Sequence, residues 1–245
     1  MAMVRIAVVQ FDARPEDAAG NRGKMQELAR RAHGQGARWI LFHEGAICDY
    51  SQHIHQLAEN VPEGESTRAF HELARELDCL ISFGLSEVEG DHYYISQVFV
   101  GPEGLLHCYR KTWIWSEPED RGFRNEWARY DPGTGPELFE VDGVRATCFI
   151  CSDGESPRCV DRARSLRPQV VFYPNSRRAM PEFAELGDLA RELDAPMLVS
   201  NRVGMSWTVC TNGGSVIYDR DGTVLASANR DAREEILLHN LVLQN

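Results

Sequence analysis

No apolar run in this 245-residue chain approaches the roughly 20 residues needed to cross a bilayer. The opening run Met1–Gln10 is followed by Asp12 and Arg14 rather than a small-residue cleavage site, so it reads as a first strand and not a signal peptide. Positive charge is scarce: 26 Lys and Arg face 37 Asp and Glu, for a net charge of −11. Nucleic-acid binding depends on neutralising phosphates, and the pairs Arg30-Arg31 and Arg177-Arg178 form no basic stripe, so no nucleic-acid partner is expected. The seven cysteines are odd in number and irregular in spacing, which points to reduced thiols in a cytoplasmic setting rather than a disulfide framework. His53-x-His55 has no partner cluster nearby, and no metal is expected. Gly213-Gly214 lacks the spacing of a phosphate-binding loop; it is expected to permit a close backbone approach. No Ser/Gly/Pro-rich linker and no repeat of fixed period divides the chain, so residues 1–245 are read as one domain.

What the chain does have is strands and helices in mixed alternation. Apolar, β-rich runs lie at Arg5–Phe11, Arg38–Glu44, Val144–Cys151, Val170–Tyr173, Met197–Arg202 and Glu235–Leu243. Helical spacing marks Asn21–His33, a segment with Phe70, Leu73, Ala74 and Leu77 on one face that Ser66 can cap, Pro157–Leu166 with Pro at its start, and Glu182–Leu193. Leu80–Glu87, Tyr93–Gly101 and Leu105–Lys111 are separated only by turns and predict an antiparallel meander, and Gly214–Tyr218 with Thr223–Ala228 predict a hairpin. The fold class expected is α/β: a four-layer α-β-β-α sandwich with two central mixed β-sheets. Thr112–Glu137 has no pattern, yet carries Trp113, Trp115, Phe123, Trp127 and Tyr130, and reads as a loop folded over a site.

Three of the apolar runs end on reactive groups: Glu44, Lys111 and Cys151. A thiol attacks as thiolate and needs a base or a cation beside it. A carboxylate can take the thiol proton and later hand one to a leaving amine, while an ammonium can stabilise a developing oxyanion. Position alone leaves Cys151 open to a plainer reading, since free cysteines are among the most buried residues. A redox pair Cys148-x-x-Cys151 is rejected, because two positions three apart in a strand face opposite sides about 10 Å apart.

Taken together, these segments resemble the nitrilase superfamily of carbon–nitrogen hydrolases, over nearly the whole chain. The residues that carry the resemblance are Phe42-His43-Glu44-Gly45, Tyr109-Arg110-Lys111-Thr112-Trp113 and Ile150-Cys151-Ser152-Asp153-Gly154-Glu155-Ser156-Pro157, supported downstream by Tyr173-Pro174-Asn175, Ser200-Asn201-Arg202-Val203-Gly204 and Gly213-Gly214-Ser215. The resemblance implies a Glu–Lys–Cys catalytic set of Glu44, Lys111 and Cys151, with no cofactor. It implies a second glutamate, Glu126, on the loop before Pro132-Gly133, and an oxyanion site that uses the backbone N–H of Ser152. Trp113, Asn175, Ser176 and Arg177 are the expected substrate-binding residues. His43 stands where the family usually has proline, and Ile95 where it has asparagine.

The resemblance also bears on substrate and assembly. True nitrilases usually carry Trp-Glu after the cysteine; Ser152-Asp153 favours a small linear amide over a nitrile. Gly154-Glu155 departs from the paired arginines of the carbamoyl-amino-acid branch, although a carbamoyl amide stays as an alternative, as does a silent ligand-binding member. Small residues at Ser156 and Ser176 suggest a roomy pocket. Arg177 and Arg178 can either bind a substrate carboxylate or sit as solvated charges. An activated Cys151 is expected to react with iodoacetamide at neutral pH. The family's habit implies a homodimer.

Overall fold

The computed structural model describes residues 2–115, 126–206 and 209–243. Along the chain, β1 (Ala2–Gln10), α1 (Ala18–Gly34), β2 (Trp39–Leu41), α2 (Ile54–Leu57) and α3 (Glu65–Leu77) lead into the meander β3 (Leu80–Glu89), β4 (His92–Gly101) and β5 (Gly104–Arg110). A 3-10 turn at Glu126–Ala128 precedes β6 (Phe139–Val141) and β7 (Val144–Cys148). A second 3-10 turn, Cys151–Glu155, leads to α4 (Pro157–Leu166), β8 (Val170–Pro174), α5 (Phe183–Leu193) and β9 (Met197–Ser200). The ribbon β10 (Val203–Ser206) and β11 (Val209–Asn212), the hairpin β12 (Val216–Tyr218) and β13 (Val224–Ser227), and β14 (Glu235–Leu243) complete the series.

Two six-stranded sheets result, ordered β14-β1-β2-β3-β4-β5 and β13-β12-β9-β8-β7-β6. Each has three parallel strands at its centre, β1-β2-β3 in one and β7-β8-β9 in the other, flanked by antiparallel partners. The period-2 alternation of a strand explains the layering. In β1, Ile6 and Val8 face the second sheet, while Ala7 and Val9 face α1 and α3 with Met25, Leu28, Phe70 and Leu73. In β8, Val170 and Phe172 face the first sheet, while Val171 and Tyr173 face α4 and α5 with Val160, Leu186 and Ala190. Three buried apolar interfaces therefore separate four layers, α-β-β-α, as the sequence predicts. Phe172 sits in the middle interface, its ring 5.9 Å from Trp39, 5.0 Å from Phe99 and 6.0 Å from Phe139. The Trp39 indole N–H donates across the layers to Asp142 (2.7 Å), so its burial leaves no orphan donor.

Pro157–Leu166, the meander and Glu235–Leu243 match the reading of the sequence. Other expectations need correcting. The strand read as Arg38–Glu44 stops at Leu41, and the strand read as Val144–Cys151 stops at Cys148: the N–H groups of Phe42 and Phe149 still pair with Ser82 of β3 and Phe172 of β8, and the chain then turns away in each case. Ser66 does not cap α3: it lies in the first turn, and the Glu59 carboxylate accepts both its backbone N–H and its hydroxyl (2.6 Å each). The ribbon β10–β11 and the short β6 carry no alternation strong enough to be read. The seven cysteines are free; Cys148 is buried in the middle interface, and the alternation argument no longer covers Cys151, which lies beyond the strand. Among the described residues no helix is long and apolar enough to cross a membrane, and no group of three His, Cys, Asp or Glu is placed to hold a metal.

Candidate active site

The parallel strands of both sheets end on the same side, and their C-terminal ends meet there. Past β2, the N–H of Phe42 still pairs with Ser82 of β3 (2.8 Å), and the chain then turns to present Glu44. That turn packs directly on Gly84 of β3. A Cβ there would stand 2.4 Å from the Gly45 nitrogen and 2.8 Å from the Glu44 Cα, so only glycine admits the approach. Past β5, Lys111 is held through its backbone, by the carbonyl of Ile95 (2.8 Å) and the N–H of Gly133 (2.8 Å). The Ile95 side chain itself joins the middle core.

The Lys111 ammonium is fully buried and donates to Glu44 Oε1 (2.9 Å) and Glu126 Oε1 (2.9 Å). The hydroxyl of Tyr50 donates to the same Glu44 oxygen (2.5 Å), leaving Glu44 Oε2 buried with no hydrogen-bond partner among the described residues. The other oxygen of Glu126 accepts the N–H of Trp115 (2.7 Å), which ties the two ends of the aromatic loop together. Its middle, 116–125 with Phe123, lies outside the described residues.

Cys151 opens a 3-10 turn with φ = 49°, a left-handed conformation that non-glycine residues rarely adopt. Asp153 supports this bend. One of its oxygens accepts the N–H of Ile150 (2.9 Å) and the Tyr109 hydroxyl (2.8 Å); the other accepts the N–H groups of Thr112 (3.0 Å) and Trp113 (2.6 Å). Ser152 adds a bond from its hydroxyl to the Trp113 carbonyl (2.6 Å). The Tyr173 hydroxyl donates to the Cys151 carbonyl (2.7 Å). The segment carrying the thiol and the segment carrying the lysine are thus stapled across the two sheets by one buried carboxylate.

Cys151, Glu44, Glu126 and Ser152 line one cavity of about 390 Å³, together with Tyr50, Trp115, Glu155, Ser176, Arg177, Arg178, Ala179, Ser206 and Val209. Two expected substrate-binding residues are not on it. Trp113 turns its ring outward (54% exposed) because its backbone is engaged by Asp153 and Ser152; Trp115, two residues on, takes the cavity wall instead. Asn175 is fully buried and serves as a holder: its side chain donates to the Tyr173 carbonyl (2.8 Å) and accepts from Arg177 Nε (2.9 Å). Ser176 and Arg177 do line the cavity. Tyr50 and Ser206 were missed in the sequence because an irregular turn and an unread ribbon carry them.

The family profile described as carbon-nitrogen hydrolase matches residues 5–245. The chain belongs to the carbon–nitrogen hydrolase family. It is 28% identical to a nitrilase from Pyrococcus abyssi over 246 residues, covering 95% of this chain and 87% of that one. It is 27% identical to an (R)-stereoselective amidase from Pseudomonas sp., covering 93% and 82% respectively. Its fold matches a solved variant of an amidase from Nesterenkonia sp. AN1, carrying acrylamide added at its active-site cysteine, with a TM-score of 0.85 at 23% identity over 98% of this chain and 93% of that one. As a carbon–nitrogen hydrolase, it acts on carbon–nitrogen bonds other than peptide bonds.

The electrostatics of this hydrolase follow from burial. Burial opposes the charge on Lys111, but Glu126 and Glu44 outweigh it and hold its pKa well above the ordinary value. Burial raises Glu126, with Lys111 pulling the other way. Cys151 lines the open cavity, yet burial pushes its thiol up to about 12, with Glu44 adding to the rise and Lys111 and Arg177 opposing it. Burial thus favours the neutral thiol, while the two carboxylates favour the charged ammonium.

Proposed function

We propose that this chain is a thiol amidohydrolase that cleaves a small linear amide to a carboxylate and ammonia through a thioester on Cys151. The observation that carries this reading is the Lys111 ammonium clamped between Glu44 and Glu126 beside a cavity that Glu44, Glu126 and Cys151 share. In this reading Glu44 takes the thiol proton on Oε2, the oxygen that has no other partner among the described residues. With the resting thiol so weakly acidic, the proton leaves as the sulfur attacks the amide carbon, not before. The S–C bond forms, and Lys111 and the backbone N–H of Ser152 stabilise the oxyanion. Glu44 passes the proton to the amide nitrogen, the C–N bond breaks and ammonia departs. Water then gives a proton to Glu44 and attacks the thioester, and the S–C bond breaks. The proton returns to the sulfur, which restores the resting site. Glu126 keeps the Lys111 ammonium oriented throughout.

The names of the relatives, a nitrilase and an amidase, support carbon–nitrogen chemistry, and the acrylamide adduct at the active-site cysteine of the Nesterenkonia amidase supports attack by a thiol. A cavity of about 390 Å³ suits a small substrate. The test is an ammonia-release screen over small linear amides, carbamoyl compounds and nitriles, with Cys151→Ala alongside. Turnover of an amide that falls by a factor of about 10⁴ or more in Cys151→Ala is the expected result. Turnover of nitriles alone would defeat the amidase reading, and activity surviving in Cys151→Ala would defeat the thioester.

A further inference from the structure

Arg177 and Arg178 are adjacent in sequence but differ in setting. Arg178 is exposed on the cavity rim. The Arg177 side chain is only 17% exposed and its guanidinium is engaged on three sides: Nε donates to Asn175, Nη1 pairs with Glu155, and Nη2 donates to the Tyr173 hydroxyl at 3.4 Å. That hydroxyl in turn donates to the carbonyl of Cys151. Asn175 is itself locked, its backbone N–H bonded to Ser200 of β9 (2.8 Å). Three protein partners therefore hold the guanidinium in the cavity wall, a rigid mount rather than a side chain waiting for a ligand.

We infer that Arg177 is a positioning residue that acts through Cys151: a second cation which, with Lys111, favours negative charge on the sulfur as it attacks. This rests on Cys151 being the nucleophile. The titratable and charged groups around the thiol are Glu44 and Tyr50 from the turn after β2, Lys111 from the end of β5, Glu126 from the loop, Tyr173 of β8 with Arg177 just past it, and Glu155 and Arg178 farther along the cavity wall. Lys111 is already spent against two carboxylates, so its net effect on the thiol is reduced. Arg177 has one carboxylate partner, Glu155, whose side chain is 56% exposed and screened by solvent, whereas the guanidinium is largely shielded. The charge of Arg177 is thus felt inside the cavity more than that of its partner. Arg177 is among the cations that lower the Cys151 thiol.

The experiment measures the rate of Cys151 alkylation by iodoacetamide at fixed pH, about 8, by peptide mass spectrometry. The exposed Cys210 in the same molecule serves as reference. Below its pKa a thiol reacts in proportion to its thiolate fraction, so raising the pKa by one unit slows alkylation tenfold. We expect Arg177→Met to slow Cys151 about tenfold relative to Cys210, with kcat reduced and KM little changed, and Arg177→Lys to recover most of the rate. Glu155→Gln, at an exposed position where folding is safe, is expected to speed it by about twofold. A wild-type ratio in Arg177→Met overturns the inference, as does a rise in KM alone, which would make Arg177 a substrate anchor. If Arg177→Met does not fold, an unchanged ratio in Glu155→Gln still overturns it. Turnover persisting in Cys151→Ala marks failure of the nucleophile assignment instead.

Discussion

The two sheets equip the site differently. The first sheet delivers Glu44 and Lys111 in a buried cluster at the back of the cavity, where each charge already has a partner: Lys111 is fully buried, and Tyr50 and Glu126 complete the set. The second delivers Cys151, Ser176 and Arg177, which keep some exposure to the cavity. The division has a physical logic. Groups that move protons or hold charge gain from a low-dielectric setting, because their mutual interactions strengthen there. A nucleophile needs access to substrate, so it must stand at an opening. Asp153 and Glu126 join the halves, one stapling the thiol turn to the lysine segment and the other reaching Lys111 from the loop.

The contrast can be broken from the buried side first. Lys111→Met leaves Glu44 and Glu126 buried without their shared cation, and we expect a loss of about 3–5 kcal/mol in urea unfolding along with loss of turnover. If Arg177→Met is as destabilising as Lys111→Met, the distinction between a buried and an open half fails.

Acid should weaken the buried half through His43, which is fully buried behind Glu44 against the Phe11 ring. Burial, with Arg202 adding to it, lowers its pKa from 6.5 to about 3. Between those values the unfolded chain binds a proton that the folded chain refuses, so stability rises with pH in this window. The contribution is complete above about 6.5 and is lost as pH falls toward 3, by up to about 1.4 kcal/mol per pH unit. Urea midpoints measured from pH 7 down to about 4 should fall less steeply in His43→Asn; parallel slopes would show that the burial of His43 is not the cause.

The smallest expected effect, and the sharpest geometrically, is Gly84→Ala. The added Cβ would meet the backbone of Gly45, His43 and Glu44 at 2.4–2.8 Å, so the turn must shift, at a cost of about 1–3 kcal/mol. Because the shift displaces Glu44 and not the cavity wall of the second sheet, kcat should fall while KM holds. A variant with wild-type kcat would mean the turn can yield without moving the carboxylate.

Much of the fold was legible in the sequence because strands repeat every two residues and helices every 3.6. Val170–Tyr173 and Pro157–Leu166 could be read from that pattern, and so could the layered architecture. Gly213 was expected to permit a tight approach, and the Gln10 side chain lies where its Cβ would be, 2.3 Å away, at φ = 84°. Where the chain leaves regular structure the periodicity ends, and the errors gather there. Trp113 and Trp115 could not be told apart, because the direction of each ring depends on which backbone N–H groups Asp153 captures. Asn175 was expected on the pocket, yet its amide holds Arg177.

By itself the sequence determined the order of the elements, the two faces of each strand, and the arrival of a glutamate, a lysine and a cysteine at the ends of three apolar runs, because those follow from local periodicity and chain order. Only the tertiary structure decided that Cys151 lies beyond its strand in a left-handed turn, that Asp153 binds the two sheets together, and that Lys111 is shared by two carboxylates. Those are contacts between segments 15 to 67 residues apart, made by hydrogen-bonding groups with several possible partners, and only packing in three dimensions selects among them.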